Sequence, residues 1–186
     1  MKAASCIFAN QRHTMSSLLR APFSALLLAA LLLPLQASAD ILQGRVVGVT
    51  DGDTITLLDS SKTQYKIRLS GIDAPEKKQP FGQRSKESLS AMAYGKEIYV
   101  EWFKKDRYGR TIGKLVTKQG QDINLEQINS GMAWHYKKYE KEQAWEDRLL
   151  YAEAEVRAER TRVGLWSAPN PVPPWEYRKE KRNGGE

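Results

Sequence analysis

Apolar and polar positions alternate over residues 46–69, as they do in strands that bury one face. Between the first two alternating segments, 46–49 and 55–57, lies Asp51-Gly52, a dipeptide typical of tight hairpins whose central residues both take positive φ. Residues 65–69 alternate again, which puts Arg68 on the polar face. The pattern predicts a three-stranded meander with one apolar side.

The remaining pattern predicts two more strands and about three helices. They are a helix from about Gln83 to Tyr94, strands over 98–102 and 112–116, a short helix over 124–131 and a long helix over 143–162. In the long helix, apolar spacing predicts a buried stripe of Trp145, Leu149, Ala152 and Val156. We therefore expect an α+β protein built on a five-stranded OB-fold barrel, although other small α+β arrangements fit the same pattern.

Residues 1–39 have the pattern of a signal peptide. Arg12 and Arg20 precede an apolar run over 21–35, and Ala37-Ser38-Ala39 is a small-residue cleavage signal. The run of about 15 residues is shorter than the ~20 that a transmembrane helix needs. We expect cleavage after Ala39 and a periplasmic or secreted protein with no stable membrane anchor. The alternatives are an uncleaved anchor and a start at Met15.

The end of the chain differs in composition from the rest. Residues 168–186 are Pro-rich and then charged, which predicts an extended segment at 171–174 and disorder from Arg178 to Glu186. Trp175 and Tyr177 are the residues expected to dock on the domain. The sequence thus predicts three parts: a signal peptide at 1–39, a domain at 40–167 and a tail at 168–186.

Composition limits the chemistry of the mature chain. Its cysteine count is zero, because the only cysteine is Cys6, and its single histidine is His135. These counts argue against a disulfide, a His/Cys zinc site and a two-histidine nuclease mechanism. Three of the 29 basic residues and none of the 22 acidic ones lie in residues 1–39, so the mature chain has a net charge of +4. This mild positive charge is compatible with nucleic acid.

Carboxylates and arginines recur in three segments, at 50–54, 68–76 and 106–110. Each has an ordinary structural explanation when taken alone, as a hairpin turn, a loop cap or a surface ion pair. Together they supply what phosphodiester hydrolysis needs: oxygen ligands for a hard cation, a base for water, and positive charge for the transition state. Guanidinium groups also bind phosphate through two hydrogen bonds.

In order and spacing, these segments resemble those of the staphylococcal nuclease (thermonuclease) family, and the resemblance extends over residues 42–166. It implies an SNase-like OB-fold with three helices. It also implies a Ca²⁺-dependent nuclease that acts on DNA and RNA, cleaves on the 5′-oxygen side and leaves 3′-phosphates.

The resemblance assigns four positions to the cation and the base. Asp53 and Asp73 match the carboxylate ligands of Ca²⁺, and Ala74 matches a residue that offers its backbone carbonyl. Glu76 matches the general base, which is also linked to the ion through water. Ala74 replaces a hydroxyl residue, but a carbonyl ligand is unaffected by that change.

Five further positions match residues that contact the substrate. Arg68 and Arg110 match the phosphate-binding arginines, Tyr108 and Tyr139 match residues of the nucleotide pocket, and Arg107 falls near the terminal phosphate of the substrate. A pocket tyrosine of the family falls on a lysine here, at position 137, which leaves Trp134, Tyr136 and Tyr139 as candidates for stacking on a base.

Alternatives to this interpretation concern both the base and the activity. His135 is an alternative base, although Glu76 already fills that role. The chain could also be a non-catalytic OB-fold module that binds nucleic acid, or an exported OB-fold protein with a protein or sugar partner. For the nuclease, we expect a monomer that reads backbone rather than base edges and prefers single-stranded DNA or RNA.

Overall fold

The computed structural model describes residues 40–184, so the predicted signal peptide lies outside the described residues. Seven strands and four α-helices follow one another in these residues: β1 (Asp40–Asp51), β2 (Thr54–Leu58), β3 (Gln64–Leu69), β4 (Ile72–Asp73), α1 (Gly82–Ala93), β5 (Glu97–Lys105), β6 (Thr111–Thr117), α2 (Ile123–Asn129), β7 (Trp134–His135), α3 (Trp145–Arg160) and α4 (Pro174–Asn183). Short 3₁₀ helices occupy Lys137–Glu142 and Gly164–Ser167. Over 40–184, every helix is too short or too polar to cross a membrane.

Five of the strands close into a barrel in the order β1-β2-β3-β6-β5, with β5 returning to β1. Strand β1 closes it because its first half pairs with β5 and its second half with β2, and Arg45 has a register partner on each side. Only β3 and β6 run parallel, with Ile67 opposite Thr111. This closed barrel with its helices confirms the α+β OB-fold. Strands β4 and β7 form a separate antiparallel pair beside it.

The predicted apolar face of the meander lies in the core. Ile55, Leu57, Ile67 and Leu69 of the meander are fully buried or nearly so, as are Leu89 of α1 and Ile128 of α2. The helices therefore cover apolar surface that the barrel leaves uncovered, as a one-sided sheet requires.

The first hairpin forms where predicted, but Gly52 serves another purpose. Strand β1 ends at Asp51 and β2 begins at Thr54, and neither Gly52 nor Asp53 takes a positive φ. A Cβ on Gly52 would lie 1.8 Å from Ser85 Oγ of α1. The glycine is needed because α1 packs directly against the turn, so the expected positive-φ hairpin is wrong.

The long helix α3 buries a different face from the predicted one. Trp145, Leu149 and Val156 are exposed, and the buried residues are Tyr151, Ala154, Glu155 and Ala158. Small alanines allow close packing, and the two polar residues have partners in the fold. Tyr151 donates to Asp122 Oδ2 at 2.8 Å, and Glu155 accepts from the His135 amide at 3.0 Å. Satisfied polar contacts thus outweigh hydrophobicity in orienting this helix.

The tail was predicted to be disordered from Arg178, and this is wrong for the described residues. Pro174, whose ring pre-sets the helical φ, is the first residue of α4, which continues to Asn183. As predicted, Trp175 docks: its ring lies 5.8 Å from Trp134 and stacks on Tyr136 at 5.5 Å. The helix persists because its aromatic residue and Arg178 both find partners on the domain.

Candidate active site

Arg68 lies between two buried aspartates and forms the centre of the site. Its Nη2 is 2.8 Å from Asp73 Oδ1, and its Nη1 contacts the Asp53 carboxylate. Strand pairing places these groups together, because Thr54 is the register partner of Arg68 and the Leu69 amide donates to the Asp53 carbonyl at 2.8 Å. The Arg68 side chain is only 14% exposed, so this is a buried ion-pair network rather than a surface ion pair.

The Asp53 carboxylate also joins the first two sequence segments. Its Oδ2 accepts from the Ala74 amide at 2.8 Å, and its Oδ1 accepts from Thr54 Oγ1 at 3.0 Å. The Ala74 amide belongs to the residue after β4, a strand that pairs with β7 through Asp73 and Trp134. The β4–β7 pair therefore carries Asp73 and Ala74 to the end of the barrel where Asp53 lies.

Glu76 is half-buried at the edge of this cluster. Its amide donates to Gln79 Oε1 at 3.1 Å, and its Oε1 lies 2.8 Å from Arg178 Nη1. The same guanidinium donates to Asp73 at 2.7 and 3.2 Å. Arg68 thus bridges Asp53 and Asp73, while Arg178 bridges Asp73 and Glu76.

Burial changes the acid–base properties of the cluster. It raises the pKa of Asp73, and the bonds to Arg178 and Arg68 oppose that rise. Burial and the neighbouring Asp53 raise the pKa of Asp51 to about 6. Burial alone would lower the pKa of Arg68, but Asp53, Asp73 and Asp51 outweigh it and raise that pKa. Both arginines stay charged, as guanidinium groups in proteins do.

Arg110 follows the tight turn between β5 and β6. Gly109 has a φ of 76°, which a glycine adopts readily, and the turn returns the chain to β6 beside β3. The Arg110 side chain bonds Asp106, with Nε and Nη2 at 2.8 and 2.7 Å from Oδ2. The structure therefore places Arg110 one residue before the strand that pairs with β3, but joined to Asp106 rather than to the carboxylate cluster.

The other predicted substrate contacts lie on the surface. The Arg107 guanidinium lies 4.8 Å from the centre of the Tyr108 ring, and this tyrosine is 69% exposed. Tyr139 is 48% exposed and meets Tyr136 edge to face at 5.5 Å. Among the described residues 40–184, none of these three side chains bonds Asp53, Asp73 or Glu76. They therefore lie at the periphery of the site.

His135 is buried next to the site without joining it. Its Nε2 lies 3.1 Å from Gln143 Oε1, and its ring meets the Tyr151 ring edge to face at 5.9 Å. Burial lowers the pKa of His135. These contacts give the ring a packing role. Among Asp53, Asp73 and Glu76, Glu76 has the most exposed side chain.

A model described as "Staphylococcal nuclease homologue" matches residues 66–168, more than half of the chain. The chain belongs to the staphylococcal nuclease family. This membership makes it a nuclease-type hydrolase and confirms the predicted resemblance.

Relatives of this nuclease family member carry related names. This chain is 42% identical over 138 residues to an "Uncharacterized endonuclease" of Haemophilus influenzae, and the match covers 74% of each of the two chains. It is 38% identical over 161 residues to a "Micrococcal nuclease" of Shigella flexneri, covering 82% of this chain and 89% of that one. A "Probable staphylococcal-like nuclease CAN1" of Oryza sativa subsp. japonica is 41% identical over 121 residues, which cover 65% of this chain and 34% of the relative.

The donor chemistry of the site in this nuclease fits a hard cation. Asp53, Asp73 and Glu76 offer carboxylate oxygens, and the one histidine nearby is held by Gln143. In residues 40–184 no three carboxylate, histidine or cysteine side chains are gathered as a metal cluster. Arg68 and Arg178 lie between the carboxylates instead.

Sequence reasoning missed Arg178 and underestimated the tail of this nuclease. The signal was present: Pro174 marks a helix start, and Trp175 and Arg178 are three residues apart, on one helix face. The charged composition of residues 178–186 concealed it. Trp175 also helps to line a cavity of about 530 Å³ together with Trp134 and Tyr136.

Proposed function

We propose that this chain is an exported, calcium-dependent endonuclease that hydrolyses DNA and RNA with little sequence specificity and leaves 3′-phosphates. The observation that carries the proposal is Arg68 bound to both Asp53 and Asp73 with Glu76 at the edge. Three acids and a guanidinium at one end of a barrel suit phosphoryl chemistry better than sugar or protein binding.

The cation would be held by oxygen atoms alone. Asp53 and Asp73 would contribute carboxylates and Ala74 its backbone carbonyl, with Glu76 linked through water. Bound calcium supplies Lewis-acid stabilisation of the negative charge that develops on the phosphate oxygens. Because the aspartates are buried, this charge stabilisation acts in a medium that screens it little.

The chain's own residues would do the remaining work. Glu76 is the only one of the three acids that is half-exposed, so its carboxylate can take a proton from the attacking water. Arg68 and Arg110 would donate to the phosphate oxygens and neutralise the charge gained in the transition state. This role requires Arg110 to turn from Asp106 toward the substrate.

Binding should depend on phosphate contacts rather than on base contacts. The cluster offers guanidinium groups and carboxylates, which recognise backbone and not base edges. We therefore propose weak sequence specificity, a preference for single strands and a steep loss of affinity at high salt. Equal rates on rigid duplex and single strands, or an affinity that salt does not change, would contradict these features.

Export is proposed from the sequence of residues 1–39. Expression of the full gene product should yield a periplasmic or secreted protein whose first residue is Asp40. Mass spectrometry of the fractionated protein tests this, and an intact mass that retains residues 1–39 in the membrane fraction would indicate an uncleaved anchor.

Digestion of single-stranded DNA by the mature chain, with Ca²⁺, Mg²⁺ or chelator, tests the nuclease. Glu76→Gln and Arg110→Ala should each lower the rate by at least about a hundredfold. Glu87→Gln is the matched control, because Glu87 is exposed on α1 and accepts only from Gln83. It should cleave at the wild-type rate.

The possible outcomes separate the candidate functions. Calcium-dependent cleavage that both site variants lose, with products ending in 3′-phosphate, would establish the activity. A folded wild-type protein that binds DNA and cuts it under no condition would point to a non-catalytic binding module.

A further inference from the structure

Helix α4 docks on the domain directly beside the carboxylate cluster. Trp175 stacks on Tyr136 with 30° between the ring planes and meets Trp134 edge to face. Trp134 is the register partner of Asp73 in the β4–β7 pair. The Gln79 side chain also donates to the Val172 carbonyl just before the helix. These contacts fix the start of α4 next to the residues that would hold the cation.

One helical turn after Trp175, Arg178 reaches the cluster itself. Its Nη2 is 2.7 Å from Asp73 Oδ2, and its Nη1 is 3.2 Å from Asp73 Oδ1 and 2.8 Å from Glu76 Oε1. The Asp73 side chain is 1% exposed, so this arginine occupies the approach to an otherwise buried acid. Both carboxylate oxygens of Asp73 are engaged by guanidinium groups when α4 is docked.

Docking of α4 changes the net charge of the site. Asp53, Asp73 and Glu76 carry three negative charges, and Arg68 and Arg178 carry two positive ones. With α4 docked, these five groups retain one net negative charge, and without Arg178 they would retain two. A divalent cation needs the negative charge and the lone pairs that Arg178 uses.

We propose that α4 is an autoinhibitory latch, in which Arg178 competes with the divalent cation for Asp73 and Glu76. The inference rests on the proposed function, since it needs a cation at these acids. An ion held between Asp73 and Glu76 would occupy the space that the Arg178 guanidinium fills. Cation binding and docking of α4 therefore oppose each other, and by linkage each weakens the other by the same factor.

Helix α4 can detach from the domain. Pro174 is the only buried residue of α4, and the second half of the helix, residues 179–183, is exposed. A helix of this length is unstable in water without its docking contacts, so release would also unwind it. A segment held by the Trp175 ring, by Arg178 and by the bond from Gln79 to the Val172 carbonyl opens at low free-energy cost compared with the barrel. The docked state would keep the site closed where divalent cations are scarce.

Calcium affinity measured by titration calorimetry tests the competition without any cleavage assay. The mature chain is compared with Arg178→Ala, and with Lys179→Ala as matched control, because Lys179 is the next residue and pairs only with Glu176 on its own helix. Arg178→Ala should bind Ca²⁺ at least about fivefold more tightly. Lys179→Ala should equal wild type.

The calcium affinities distinguish failure of the latch from failure of the proposed nuclease function. Equal calcium affinity in Arg178→Ala and wild type would overturn the latch and leave the nuclease intact. Absence of calcium binding in every folded variant would overturn the calcium-dependent function and, with it, the competition. Circular dichroism confirms that each variant keeps its fold.

A spin label follows the helix itself. The mature chain has no cysteine, so Arg182→Cys carries a single nitroxide in the last turn of α4, where residue 182 is exposed. In chelator its spectrum should show restricted motion, and saturating Ca²⁺ or an added Arg178→Ala should make it mobile. A label at Lys118→Cys, in the exposed turn after β6, should not respond. An Arg182→Cys spectrum that Ca²⁺ leaves unchanged would overturn the latch.

Discussion

Gln127 holds Gly52 in place across 75 residues of sequence: its Nε2 donates to the Gly52 carbonyl at 2.7 Å in a fully buried contact. The same nitrogen lies 3.1 Å from the Ser85 carbonyl, and Gln127 Oε1 accepts from Ser88 at 2.6 Å. One amide on α2 therefore ties the turn before Asp53 to helix α1. The position of Asp53 depends on this buried polar contact.

Gln127→Ala should destabilise the protein because it leaves the buried Gly52 carbonyl without its donor. We expect a loss of about 1–3 kcal/mol in the free energy of unfolding, measured by urea denaturation. Gln83→Ala is the control, since the Gln83 amide is exposed and bonds only Glu87. Equal effects of the two substitutions would show that the Gly52 contact carries no special weight.

Gly52→Ala should be disruptive although the turn has no positive φ. Its Cβ would lie 1.8 Å from Ser85 Oγ and 2.8 Å from the Ala74 Cβ, so α1 or the turn must move. We expect at least about 1–3 kcal/mol of lost stability together with reduced cleavage, because Asp53 follows directly. In Gly48→Ala the nearest atom would be 3.5 Å away, an ordinary contact, and this control should be nearly neutral.

Substitution of the two arginines proposed to bind phosphate should separate stability from activity. Arg68→Ala leaves Asp53 and Asp73 buried without their bridge, which costs about 3–5 kcal/mol as well as activity. Arg110→Ala should lose activity with a stability change of about 1 kcal/mol or less, because Asp106 still accepts from the Tyr108 and Arg110 amides. Urea denaturation and single-strand digestion measure both effects. Equal destabilisation by the two variants would contradict the ion-pair network.

His135 should make stability pH-dependent on the acid side. Burial lowers its folded-state pKa below the ordinary value of 6.5, so the unfolded chain takes up a proton first as the pH falls. Stability should be fully present above pH 6.5 and decline below it, down to the folded-state pKa. Denaturation at a series of pH values measures the slope.

The control for this slope is His135→Phe, which keeps a ring against Tyr151. It should flatten the pH dependence that begins near 6.5 and leave cleavage within a few-fold of wild type. An unchanged slope would assign the effect to other groups. A loss of cleavage of about a hundredfold in a stable variant would instead assign the base role to His135.

The barrel could be predicted because its evidence is local. Alternation places Ile55, Leu57 and Ile67 on one face, and turn residues separate the strands. The sequence also contained the residue types of the site, since phosphoryl chemistry limits which side chains can serve. Grouping Asp53, Asp73 and Arg68 required only the family's spacing, and the structure brings these three into contact.

The face of α3 and the role of Gly52 could not be predicted in the same way. The apolar spacing of Trp145, Leu149 and Val156 resembles a buried stripe, yet partners at Asp122 and His135 turn the other face inward. Gly52 matched the residue preference of a tight turn, but a glycine is needed there because α1 packs against the turn. The buried face of α3 and the role of Gly52 both depend on residues that are distant in sequence, which a local sequence pattern does not include.

What the sequence by itself determined is the order of the barrel strands and the first three helices, the apolar faces of those strands and the set of charged groups available for chemistry, because these follow from local preferences and residue type. Only the tertiary structure decided which charges meet. Arg178 lies 105 residues from Asp73 along the chain, and its bonds to Asp73 and Glu76 exist because Trp175 docks α4 against the β4–β7 pair. The free energy of such contacts depends on distances in space, which residue order does not contain.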